Sequence, residues 1–386
     1  MRKILFIAVL LPVVAGIGWW YFRESPLPDY GPAYREYAYV TNGKSNTVTV
    51  INVLAFRAEK TIPVGGDPTG IAANSKKNEV YVVNTGSSNI SVIDAEKNQV
   101  VATIGVHGRP YFMDVSQDGR RGYVANSASA NISVIDLEKR VVVATIRVGA
   151  APGLARVSPA GTTVVVSNRG DNTVSLIDTQ NLAVRATLAV CQQPEDIAIL
   201  PDSTKAFVAC TGSAQVASID LKNDKMLALL DVGKTPVHLA VKPDGGELMV
   251  TNFDSDSVST IETTTDEVAN SFLIGTKPVR GLVSADNSRL YVSNFASNSV
   301  AVYDIDVGKI VAIVPVGTQP DGLALSANQA LLLVLNSQSG DVTMIQKRKP
   351  RKLEPSEYSI LTMIPVGSQP NNVVVKSFLV TAPVRK

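Results

Sequence analysis

The chain has 386 residues, and its 36 Lys and Arg against 34 Asp and Glu leave a formal charge of +2, which by composition alone gives no support to a polyanion-binding protein. Charged residues make up 18% and hydrophobic ones 45%, enough apolar material for a large core and too little charge for a disordered chain. Two His and two Cys exclude a zinc cluster, a multi-copper site or an iron–sulfur centre built from these ligands, and no c-type haem attachment motif occurs.

Arg2 and Lys3 precede a run from Ile4 to Phe22 that carries no charge. At about 1.5 Å per residue such a run nearly crosses a hydrocarbon core of about 30 Å. The basic residues favour an N-terminus left in the cytoplasm, and Trp19, Trp20 and Tyr21 suit the membrane interface. Residues 1–22 therefore read as a signal-anchor that exports the rest, with cleavage after the small residues Val13 and Ala15 as the alternative. The Pro-rich stretch that follows, to residue 36, reads as a tether, and residues 37–386 as the folded body.

From Tyr37 onward the chain repeats. A first strand type ends at Asn42, Asn84, Asn126, Asn168, Cys210, Asn252, Asn294 and Asn336, every step being 42 residues. A second ends at Asn52, Asp94, Asp136, Asp178, Asp220, Glu262, Asp304 and Gln346, after runs such as Ser91-Val92-Ile93 whose alternation predicts half-buried strands. A third, such as Val101 to Val106, leads to a Pro at 68, 110, 152, 194, 236, 278, 320 and 370, the last step carrying an eight-residue insertion. A short fourth strand follows each Pro and turns back through hairpin signals such as Asp118-Gly119. Four strands per unit of this length predict a β-propeller blade, since radial repetition removes most exposed strand edges.

The runs Tyr39-Val40-Thr41-Asn42, Tyr81-Val82-Val83-Asn84 and Tyr291-Val292-Ser293-Asn294 resemble the YVTN repeat of bacterial and archaeal β-propellers, over about residues 37 to 376. That resemblance implies a fold, and usually seven blades. The eight copies counted here predict instead an all-β, eight-bladed propeller of four-stranded antiparallel blades. The chain starts with the second strand of a blade, so a C-terminal inner strand, Val373 to Lys376, should complete the N-terminal blade and close the ring. Phe378 to Thr381 then has no role, which keeps seven blades plus an accessory hairpin as the alternative.

Up-and-down connectivity places the loops that enter inner strands, and those that follow the Asn positions, on one face, called the top. Residues one and two places after each Pro should ring the mouth of the central channel. Among them are Tyr111, Phe112, Glu195, Asp196, His238, Arg280 and the pair Asn371 and Asn372. Asp196, His238 and Arg280 hold one repeat position in three successive blades and should form an arc. Arg169, Phe253 and Phe295 follow the Asn positions and should add a guanidinium and two aromatic walls. Such a set could grip a flat or anionic ligand through charge-assisted hydrogen bonds and stacking.

The opposite, bottom face should receive the eight-residue insertion, with Lys347, Arg348, Lys349, Arg351 and Lys352. Because the N-terminal tether enters from that face, these bases are expected to meet anionic lipid headgroups. Cys191 replaces a Gly seen at 65, 149, 233 and 317, and Cys210 replaces the repeat Asn, so the two are a candidate disulfide in an oxidising compartment, with free thiols as the alternative. No Gly-x-Ser-x-Gly elbow and no phosphate loop occur, and Ser259 stands where an EF-hand beginning at Asp254 would need Gly.

These features lead to an exported binding scaffold without chemistry or cofactor of its own, located in the periplasm or at the cell surface and held at the inner membrane. Its partner is expected to be an exported protein or small ligand, and not nucleic acid, since acids at 195, 196, 254 and 256 share the top face. The alternative comes from resemblance to propellers that hold haem d1 or quinone cofactors or serve their biogenesis. In that reading His238 would be the axial ligand and Arg280 the carboxylate clamp.

Overall fold

The computed structural model describes residues 30–348 and 357–380. The expected anchor over residues 1–22 lies outside the described residues, as do Lys349, Arg351 and Lys352 of the basic insertion. Among the described residues no helix is long and apolar enough to cross a membrane.

The chain forms eight four-stranded antiparallel sheets, which we number as blades 1 to 8 by their second strands: Tyr34–Asn42, Glu79–Asn84, Arg121–Asn126, Thr163–Asn168, Lys205–Cys210, Glu247–Asn252, Arg289–Asn294 and Leu331–Asn336. Blade 2 shows the plan, with an inner strand Pro68–Ala73, the second strand, a third Asn89–Asp94 and an outer Gln99–Gly105, in that spatial order. Each inner strand touches the inner strand of the next blade, and those of blades 8, 1 and 2 touch in turn, so the ring is closed.

Closure is made by the longest strand, Pro370–Leu379, which pairs antiparallel with Tyr34–Asn42. This corrects two sequence expectations. Phe378 is a core residue, 8% exposed, with its ring 6.1 Å from that of Tyr37, and it pairs with Arg35. Residues 34–36, assigned to the tether, are the strand that receives it. Glu36 is buried among them, accepting hydrogen bonds from the Ala327 amide at 2.8 Å and the Tyr34 hydroxyl at 2.9 Å, and so stitches blade 1 to blade 8.

The core lies between blades. In one cluster Val80, Val82 and Ile93 of blade 2 meet Val48, Val50 and Ile62 of blade 1. Second and third strands are consequently buried on both faces, and here the reading of half-buried strands fails. Ser91, taken as the polar half of an alternation, is 3% exposed and accepts a hydrogen bond from Asn84 Nδ2 at 2.9 Å. A hydroxyl with a fixed partner can occupy an interior position at little cost.

The repeat Asn is the centre of this network. Asn42, Asn84, Asn126, Asn168, Asn252 and Asn336 each donate through Nδ2 to side chains five and seven residues later. In five of these blades the carbon chain of the Asn presses on the loop entering the same blade, which is why that loop carries Gly; in blade 3 His107 holds that place. A Cβ on Gly65 would stand 2.7 Å from Asn84 Cβ, and one on Gly367 would stand 2.7 Å from Asn42. In blade 5 both members change together, and Cys191 and Cys210 are joined as a disulfide with Cα atoms 5.7 Å apart. A covalent bond there takes the place of the Gly–Asn contact.

Candidate functional site

Every inner strand starts at its Pro and then slips register against the second strand. In blade 5, Pro194 pairs with Cys210 and the next pair is Ile197 with Val208, which leaves Glu195 and Asp196 outside the ladder. A bulge of this kind re-aims side chains. It turns the residues after each Pro toward the axis, where they enclose a cavity of about 230 Å³ at the top of the channel.

The cavity gathers Tyr111 and Phe112 from blade 3, Glu195 and Asp196 from blade 5, Arg280 from blade 7, and Asn371 and Asn372 from blade 1. Arg169 stands beside it, with Nη1 3.1 and 3.2 Å from the two Glu195 oxygens and its guanidinium 5.2 Å from the centre of the Tyr111 ring. Burial raises the Glu195 carboxyl above its ordinary range while Arg169 opposes that rise.

Asp196 and His238 are neighbours, with Nε2 3.8 Å from Oδ2, yet both are largely committed to the framework. Asp196 accepts from the Ile197 amide at 3.0 Å and the Leu239 amide at 2.9 Å. His238 Nδ1 accepts from the Gly281 amide at 3.4 Å, which fixes the remaining proton on Nε2 in the neutral ring. Burial holds the imidazole pKa down to about 4, against the raising field of Asp196. The ring does not line the cavity; Val237 takes that place.

Phe253 and Phe295 do not wall the mouth either. They begin loops beyond the second strands, one strand further from the axis than the inner strands, and form their own cluster with ring centres 6.4 Å apart. Lys277 lies 4.8 Å over Phe253 and bonds Asp254 at 2.5 Å.

Two residues that the sequence reading did not single out, Arg156 and Asp321, line the cavity, and a third, Asp114, interacts with the first. Arg156 lines the cavity with its guanidinium 4.4 Å over the Phe112 ring. Asp114 accepts from the Val157 and Val115 amides, and burial raises its pKa against the pull of Arg156. Asp321 lies 3.7 Å from Arg280. Asp114 and Arg156 occupy the fourth place after Pro, where other blades carry Ala72, Ala198, Ala240, Leu282 and Ala324. Charge breaking an apolar repeat position was the available signal.

On the bottom, Lys347 ends the third strand of blade 8, and Arg348 continues into a backbone hydrogen bond with Glu357. Among the described residues no group of three or more His, Cys, Asp or Glu could hold a metal ion.

Comparison with known proteins agrees with this architecture. The model of the YNCE-like beta-propeller family matches residues 6–158, and that of the lactonase, 7-bladed beta-propeller family matches residues 282–366. No curated protein matches the sequence. Among solved structures, the Kuenenia stuttgartiensis hydrazine synthase is 21% identical with a TM-score of 0.59, covering 73% of this chain and 97% of that one. Dihydro-heme d1 dehydrogenase NirN is 15% identical with a TM-score of 0.71, covering 88% of this chain and 74% of its own. A functionally unknown protein from Desulfotomaculum acetoxidans is 17% identical with a TM-score of 0.59, covering 72% and 95%. At these identities the likenesses speak to fold alone. The chain is an eight-bladed β-propeller, similar over its N-terminal part to the YNCE-like family.

Proposed function

We propose that the protein is an exported binding module whose channel mouth takes a small ligand bearing a carboxylate or similar anionic group. One observation carries this reading: two guanidinium groups, Arg156 and Arg280, face one small cavity with most of their donors unspent. Among the described residues no carboxylate lies within ion-pair distance of Arg156, and Arg280 has only the long 3.7 Å approach of Asp321. Guanidinium forks favour planar anions, and Tyr111 and Phe112 offer an apolar wall for a flat body. The other acids compete little, since Glu195 is held by Arg169 and Asp196 by two amides. Export is supported by the apolar run at residues 4–22 and by the disulfide, a bond that persists in oxidising compartments.

The test uses phthalate, a flat aromatic dicarboxylate, and inorganic phosphate as probes. Phthalate should raise the melting temperature of the wild type and leave the double variant Arg156→Ala, Arg280→Ala unmoved. No shift with either probe, or the same shift in both proteins, refutes the reading.

The cofactor alternative fits less well. A cavity of about 230 Å³ falls below the roughly 300–1,000 Å³ usual for drug-sized ligands and is small for a tetrapyrrole. His238 is no better suited as an axial ligand, because Nδ1 accepts a backbone hydrogen bond and Nε2 faces Asp196. Purified protein that gains a haem or quinone absorption band would restore that alternative.

A further inference from the structure

Exposed apolar side chains are unevenly spread around the rim of the disc, and the repeats themselves provide the comparison. At one exposed place in the outer strand, blades 1 to 4 carry Thr61, Thr103, Thr145 and Thr187 and blade 6 carries Ser271. Blades 7 and 8 carry Ile313 and Met363 there, 63% and 47% exposed, and blade 5 carries Leu229. Two residues earlier, blades 7 and 8 expose Val311 and Leu361, as blades 3 and 5 expose Val143 and Leu227, where blade 1 has Glu59 and blade 4 has Arg185. The outer strands of blades 7 and 8, Lys309–Pro315 and Tyr358–Pro365, are adjacent, so these side chains make one apolar sector. Blade 1, next around the ring, closes that sector with Arg57, Glu59 and Lys60.

Where the chain enters the propeller selects the occupant. Tyr30, the first described residue, stacks on Tyr34 and, like Leu54 and Phe56 of blade 1 and Ala330 of blade 8, packs against the core cluster shared by those two blades, at the bottom corner beside this sector. The 29 residues before it include the uncharged run 4–22. Lys347 and Arg348 stand at the same corner, Lys347 donating its amide to the Ala330 carbonyl. Apolar side chains flanked by bases, next to a segment long enough to cross a bilayer, match a surface of hydrocarbon and anionic headgroups.

We infer that the rim of blades 7 and 8 rests on an anionic lipid bilayer, so that the disc leans on its edge and the channel mouth stays open to the aqueous side. This placement is independent of what the mouth binds and rests on the tethered reading of the N-terminus.

The full chain, incorporated into bilayer discs of phosphatidylcholine and phosphatidylglycerol, tests it. Both native cysteines are joined and buried, so a fluorophore attaches only to an introduced thiol. Labels at Ile313→Cys and Leu361→Cys should be quenched by brominated lipid at least twofold more than labels at Thr103→Cys and Thr187→Cys on the opposite half. Removing phosphatidylglycerol should narrow the difference. Equal quenching at all four sites in a protein that stays with the lipid overturns the rim assignment alone. A chain that does not associate with the discs overturns the tether together with it. A dimer whose labels at 313 and 361 are shielded but not quenched by lipid overturns the inference in favour of a second copy on that face.

Discussion

Blade 5 replaces both members of the Gly–Asn contact with cysteine, and this gives a prediction with a worked magnitude. In blades 1, 2, 4, 6 and 8 a Gly in the entering loop packs on the repeat Asn, whose Nδ2 donates to side chains five and seven residues later; blade 3 has His107 in place of that Gly, and in blade 7 Asn294, with Ala301 seven residues on, donates to the Ile274 carbonyl. In blade 5 the Gly is Cys191, the Asn is Cys210, and the acceptor seven residues on is Ala217. The disulfide closes a loop with a sequence separation of 19. In the chain-entropy account a loop of roughly 20 residues is worth about 3 kcal/mol. Cys191→Gly with Cys210→Asn should lose that amount. It should also bury an amide donor facing Ala217, at a further cost of about 1–3 kcal/mol. Adding Ala217→Ser supplies the acceptor and should recover about 1 kcal/mol. Urea titrations with and without reductant read all three terms. Wild type should lose midpoint when unfolded under reducing conditions, the triple variant should be indifferent to reductant, and the double variant should be the least stable. A triple variant no more stable than the double, or a wild type whose midpoint ignores reductant, would refute the account.

Three further outcomes follow from the same geometry. Gly233→Ala, whose Cβ would stand 2.6 Å from Asn252 Cγ, should cost about 1–3 kcal/mol, while Gly105→Ala, with nothing within 4 Å, should leave the melting temperature unchanged. Phe378→Ala should cost about 3–5 kcal/mol and Leu379→Ala, 66% exposed, almost nothing, in thermal unfolding. The folded-state pKa of His238 lies at about 4, below its ordinary 6.5, so the unfolded chain binds the extra proton between those values. Stability from this group is therefore full above pH 6.5 and lost as pH falls toward 4, by about 3 kcal/mol in all. His238→Gln, compared with wild type from pH 7 to 4 by urea midpoint, should remove that part of the acid sensitivity; parallel curves would show that the imidazole is not held neutral.

The fold was legible because its determinants are local and recur. Apart from Cys210 and the eight-residue insertion, the 42-residue copies place Pro, Asn and the alternating strands at the same offsets, so errors in one copy are corrected by the next. What escaped was where the period is broken. Phe378 looked superfluous because its partner is the start of the chain, more than 300 residues away, and no repeat offset connects them. The serines of the third strands looked exposed because an alternation of Ser and Val is the same string whether the hydroxyl meets water or Asn84 Nδ2.

The site was legible at a coarser level for a related reason. Position after Pro correctly located Tyr111, Phe112, Glu195 and Arg280 at the mouth, since the bulge that re-aims them is part of the repeat. Depth is not. His238 holds the same repeat position as Arg280, but its shorter side chain turns back to the Gly281 amide, while the longer guanidinium of Arg280 reaches the cavity. Arg156 starts two residues deeper in its strand and still reaches the same space, its guanidinium resting on the Phe112 ring of the preceding blade. Which side chain fills a channel mouth therefore depends on reach as much as on register. That is why an arc drawn from equal positions placed the imidazole in the site and left out the second guanidinium, and why the paired Arg156 and Arg280 substitutions, not His238 alone, decide whether the mouth binds an anion.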